Sequence, residues 1–123
     1  MNYKHIYLGD YNYTVLDYNS NKQICWIEAI ELDNKNILVM CEVNNIYYGT
    51  NSNDSDFADI IRNFSNRFHI SINNFIWFEK QKQTNKIYRY ETKILPEYRY
   101  GFNVIRFDSN IDEYRKFLNL SQL

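Results

Sequence analysis

Phe57, Ile60, Ile61, Phe64 and Phe68 recur at i, i+3, i+4, i+7 and i+11, which draws one apolar stripe down the side of an α-helix. Farther along, Ile87 to Ile94 follows a different period. Tyr88, Tyr90, Thr92 and Ile94 fall on one face of a strand, and Arg89, Glu91 and Lys93 fall on the other. A helix and a strand that are each apolar on one side must bury those sides against another layer. Together they restrict the chain to helices packed on a sheet.

The remaining segments fill in that sheet. Tyr3 to Leu8 and Tyr13 to Tyr18 read as strands around Gly9-Asp10, and Ile24 to Leu32 and Ile37 to Val43 form a hairpin rich in β-branched residues. This hairpin is apolar on both faces, so it is expected at the centre of the sheet, covered on each side. Phe75 to Glu79 and Phe102 to Phe107 supply further strands. Ser55 or Asp54 can cap the first helix, and Arg67 and His69 lie at its opposite end, where cations suit the dipole. Ser109-x-x-Asp112 resembles a capping box opening a second helix. The expected fold is α+β, a mainly antiparallel sheet of about six to seven strands. It carries one long amphipathic helix (about 55–68) and a short C-terminal helix (about 110–118), in a single domain over residues 1–123.

Composition removes several functional classes. With only three glycines there is no Walker loop or dinucleotide fingerprint to cradle phosphates. Cys25 and Cys41 sit inside apolar runs without a CxxC or Cys/His cluster, which marks them as buried thiols. His5 and His69 are the only imidazoles and show no partner by spacing. Glu28 and Glu42 interrupt the central hairpin and could meet across it to bind a divalent metal or share a proton; Glu79, after Trp77 and Phe78, poses the same question. No catalytic set, metal site or cofactor motif stands out, so the expectation is a protein that is not an enzyme. The chain starts without a charged-then-apolar leader, and the longest apolar run, Ile37 to Cys41, is too short to span a membrane. A cytoplasmic location is expected.

Charge divides the chain in two. Residues 1–61 carry three basic and nine acidic side chains, and residues 62–123 carry eleven basic and six acidic ones. Lys80, Lys82, Lys86, Arg89, Lys93, Arg99 and Arg106 interleave with Tyr88, Tyr90, Tyr98 and Tyr100. Basic groups gain from releasing phosphate counterions, and aromatic rings stack on bases. This segment, Tyr98 and Tyr100 included, is therefore the expected contact surface for a partner. Tyr, Trp and Arg also dominate protein–protein hot spots. Asn, Ile, Tyr and Lys are abundant and share A/T-rich codons, as in the small accessory proteins of low-GC bacteria and their mobile elements. The expectation is an inhibitor or regulator of a larger protein, of the toxin-immunity or phage anti-defence (anti-CRISPR-like) type. That partner could itself handle nucleic acid. The alternatives are an RNA or single-stranded DNA binder using residues 80–106, and a small metal-independent nuclease.

Overall fold

The computed structural model describes residues 3–9, 12–17, 19–32, 36–44, 55–97 and 101–120. Along the chain these form β1 (Tyr3–Gly9), β2 (Asn12–Asp17), β3 (Gln23–Glu31), β4 (Ile37–Val43), α1 (Ser55–Phe68), β5 (Phe75–Gln81), β6 (Ile87–Ile94), β7 (Phe102–Ser109) and α2 (Ile111–Leu120). The seven strands lie side by side in the order in which they occur. Five of the six pairings are antiparallel, and β4 with β5 is the parallel exception. That exception follows from the connection: a tight turn reverses direction, whereas a crossover helix, here α1, returns the chain the same way. The expectation of an α+β fold on a mostly antiparallel sheet thus agrees with the structure.

Strand alternation sorts the side chains onto two faces. The α1 face holds the larger core. Tyr13 and Val15 from β2, Cys25 and Ile27 from β3, Val39, Cys41 and Val43 from β4, and Trp77 from β5 are buried there beneath Ile60, Ile61 and Phe64. Phe64 is the centre of this packing. Its ring lies 4.8 Å from Phe68, 5.3 Å from Phe75, 5.6 Å from Trp77 and 5.8 Å from Tyr13, centroid to centroid. Edge-to-face contacts with Phe75 and Trp77 suit the ring quadrupoles. α1 ends where His69 turns to φ 56°, letting the Ile70 amide donate back to the Ser65 carbonyl. This is a Schellman-type stop that returns apolar Ile70 to the core.

The other face has a smaller core. Leu38, Phe78, Ile87 and Leu32 are buried with Met40, Ile76, Tyr114, Phe117 and Leu118, so α2 sits over β4, β5 and β6. Arg89 fixes it there: its Nε lies 2.7 Å from Glu113 of α2 and its Nη1 2.5 Å from Glu91 of its own strand. The cap of α2 is shifted one residue from the Ser109 expectation, because Asn110 Oδ1 accepts from the Glu113 amide at 2.9 Å. Ser109 instead donates its hydroxyl to the Glu113 carboxylate.

One expectation needs correction. The Ile24–Val43 hairpin is not covered on both faces along its length. β4 is, but on β3 the residues facing away from α1 are half-buried Trp26, exposed Glu28 and Ile30, which is 40% exposed. The charge inside its apolar run on that side, Glu28, marks β3 as a strand with a wet side. Truncating the packing centre is the sharpest check on the whole arrangement. Phe64→Ala should cost about 3–5 kcal/mol of unfolding free energy, read from urea denaturation with an unchanged slope.

Candidate functional site

The basic, tyrosine-rich segment does not form one surface. Period-2 alternation and the β6–β7 register send its members to different places. Lys80, Arg89 and Lys93 lie on the α2 face, Arg106 lies on the α1 face, and Lys82 and Lys86 are exposed in the β5–β6 turn. Tyr88 and Tyr90 are buried and offer no stacking surface. Arg89 is committed to Glu91 and Glu113, and its guanidinium lies 5.1 Å from the Phe107 ring centre. Tyr98, Arg99 and Tyr100 fall outside the described residues, as does the side chain of His5. Lys86 borders an open depression of about 440 Å³ that also touches Tyr88, Asp108 and Asn110.

What the register does assemble is a buried polar group under α1. Cys41, Glu79 and Tyr88 stand in one row across β4, β5 and β6. Glu79 is fully buried and Gln81 nearly so. The Tyr90 hydroxyl donates to Glu79 Oε2 at 2.7 Å, and Gln81 Nε2 donates to Oε1 at 3.2 Å. Both donors are needed, because an unmet buried carboxylate would cost several kcal/mol. Beyond them the Arg106 guanidinium lies 4.2 Å from the centre of the Tyr88 ring, so cation–π contact brings a positive charge to the same pocket. Arg106 Nη1 is shielded from solvent and has no hydrogen-bond acceptor among the described residues. Burial pushes the Tyr90 phenol well up, and the neighbouring Glu79 carboxylate pushes it further. Burial, followed by the hydrogen bond with Cys25, likewise raises the Cys41 thiol. Chemically this group ties β4, β5 and β6 together. Its members face the core, and the Tyr90 phenol and Cys41 thiol hold their protons tightly.

A second candidate lies on the side of the sheet that α2 leaves open. Trp26 of β3 stands opposite Glu42 of β4, and Glu28 stands opposite Met40. Glu28 and Glu42 are therefore diagonal neighbours on one face, as the hairpin suggested. The Trp26 indole donates to Glu28 Oε1 at 2.7 Å, which fixes the ring. Thr14 and Leu16 of β2 and Ile30 of β3 extend this strip. Among the described residues no group of three or more His, Cys, Asp or Glu side chains could hold a metal ion. No helix there is long and apolar enough to cross a membrane.

No family model, curated protein or solved structure matches this chain. The sites are therefore read from their own geometry.

Nothing in the local sequence flagged the Glu79 pocket beyond a charge inside an apolar strand. Apart from Gln81 on the same strand, its partners come from other strands, Tyr90 of β6 above all, and only the register reveals them. The raised protons give it a pH signature. In the unfolded chain a thiol ionises near roughly pH 8.5 and a phenol near roughly pH 10, whereas both stay protonated when folded. Stability is thus intact at neutral pH and declines as pH climbs through those values. Urea midpoints between pH 7 and 11 should fall first with Cys41 and then more steeply with Tyr90. Tyr90→Phe should flatten the second part while costing about 1–3 kcal/mol at neutral pH.

Proposed function

We propose that this protein is a non-enzymatic binding protein that inhibits or regulates a larger protein by covering a surface on it, as immunity proteins and phage anti-defence proteins do. The observation that carries the reading is the open strip on β2 and β3. Trp26 there is held in place by Glu28 and stands among Leu16, Ile30 and two carboxylates. A fixed, partly exposed indole flanked by acidic groups suits a partner surface rich in Arg or Lys. Cations pack on the ring and pair with the rim carboxylates. The proposed contact surface therefore moves from residues 80–106 to β3. The polar group around Glu79, the richest in chemistry, faces the core and serves in this reading to hold strands together.

A nucleic-acid reading rests on Lys82 and Lys86, both exposed in the β5–β6 turn, with Lys80 at the base of that turn. It has fewer supports, because Tyr88 and Tyr90 are buried and Arg89 is ion-paired. Fluorescence polarisation with single-stranded RNA and DNA at two salt concentrations separates the readings. The binding-protein reading expects little affinity at low salt. Tight binding that weakens steeply with salt would favour the rival. Incubation with labelled RNA, with and without EDTA, addresses a nuclease.

The main test is recovery of a stoichiometric protein partner on affinity purification from the native host. Trp26→Ser and Glu28→Lys should each reduce recovery by roughly tenfold or more, since hot-spot truncations commonly cost about 2 kcal/mol. Their melting temperatures should remain near that of the wild type. Undiminished recovery with both variants would reject the β3 strip as the contact surface.

A further inference from the structure

β7 is the last strand of an open sheet, and its outer edge is paired with no described residue. Both helices lie on the faces of the sheet. α2 leads away from the end of β7 back over β6 and β5, through the Glu113–Arg89 and Tyr114–Phe78 contacts. The second half of β7 is its exposed half. Phe107 is 39% exposed and Ile111, just beyond the strand, is 37% exposed. These are two of the four large apolar side chains exposed among the described residues. An edge that has no described strand beside it and carries exposed apolar side chains is a template for strand addition.

The charges on β7 choose the occupant. Arg106 and Asp108 lie on the α1 face of the strand, and Ile105, Phe107 and Ser109 lie on the other. A second copy pairing antiparallel must match residues of the same face, which leaves few registers. Centring on Arg106 sets arginine against arginine, and centring on Asp108 sets aspartate against aspartate. Like charges directly opposite destabilise a ladder. Centring on Ile105 places Arg106 against Val104 and Asp108 against Phe102. Centring on Phe107 sets the two Phe107 rings together, puts Ile105 beside Ser109, and places Asp108 of each copy beside Arg106 of the other. One register thus matches charge and joins the exposed aromatic to itself.

We propose that the chain self-associates as a two-fold dimer through antiparallel pairing of β7 with β7 of a second copy, centred on Phe107. The two seven-stranded sheets then become one continuous sheet. Its two-fold axis runs perpendicular to the sheet, so the two β3 strips face the same side. If those strips bind a partner as proposed above, the dimer engages two sites at once; the dimer itself does not depend on that reading.

Sedimentation equilibrium from micromolar to near-millimolar protein reads the association, and disulfide trapping reads its register. The wild-type chain should show a monomer–dimer equilibrium. Phe107→Asp and Asp108→Arg, both at exposed positions, should weaken it by at least about tenfold, whereas Lys82→Glu in the distant turn should not. With oxidised glutathione, Phe107→Cys should give a covalent dimer, while Asn103→Cys, far from its own counterpart in this register, should not. Circular dichroism on each variant confirms that it folds. A wild-type chain that stays monomeric throughout overturns the proposal. So does a dimer insensitive to both Phe107→Asp and Asp108→Arg, or one trapped equally well by Asn103→Cys.

Discussion

Coverage is the constraint from which the rest of this structure follows. Seven strands at roughly 4.8 Å spacing make a sheet roughly 29 Å wide, whereas a helix with its side chains covers roughly 10 Å. The chain spends its longer helix, α1, on the face that carries most of its large apolar residues, with Phe64 as the meeting point of rings from β2 and β5. That leaves α2, ten residues long, for the opposite face. At roughly 15 Å in length it covers chiefly the apolar patch on β4, β5 and β6. The strip over β2 and β3 stays open because no third α-helix among the described residues lies over it. The side chains there, Thr14, Trp26 and Glu28, are of the kind that tolerate water.

The same division decides where chemistry can happen. Tyr90 and Gln81 donate to Glu79 beneath α1, where burial is the main reason the Tyr90 phenol holds its proton so tightly. Such a group ties adjacent strands together, and breaking one member leaves the others buried without their partners. The open strip has the opposite character. There the hydrogen bond from Trp26 to Glu28 orients a large ring at the surface. Rigidity on the closed side and presentation on the open side are complementary consequences of uneven coverage.

Much of this was legible in the residues. The alternation from Ile87 to Ile94 fixed that strand to the residue, and the strand–turn boundaries around β1, β2 and β4 follow from Gly, Asn and Asp clusters. Other features depend on register, which local patterns do not carry. Arg89 and Arg106 are both arginines within one basic stretch, yet the pairing of β6 with β7 sends them to opposite faces. Glu79 looks like an interruption in Phe75–Gln81 until Tyr90 is placed beside it. Trp26 and Ile30 made β3 read as apolar on both sides; what decides otherwise is the short reach of α2. The cap of α2 moved from Ser109 to Asn110 because either side chain can accept the amide, and Ser109 is drawn into the last ladder of β7.

The two tryptophans report directly on the uneven coverage, since Trp77 lies under α1 and Trp26 on the open strip. The decisive measurement is acrylamide quenching of fluorescence in two single-tryptophan variants, Trp77→Phe and Trp26→Phe. Trp26, observed alone, should emit at longer wavelength and be quenched readily. Trp77 alone should emit at shorter wavelength and resist quenching until the protein unfolds. Equal protection of the two indoles in the folded protein would mean that the β2–β3 face is closed, and would contradict the account.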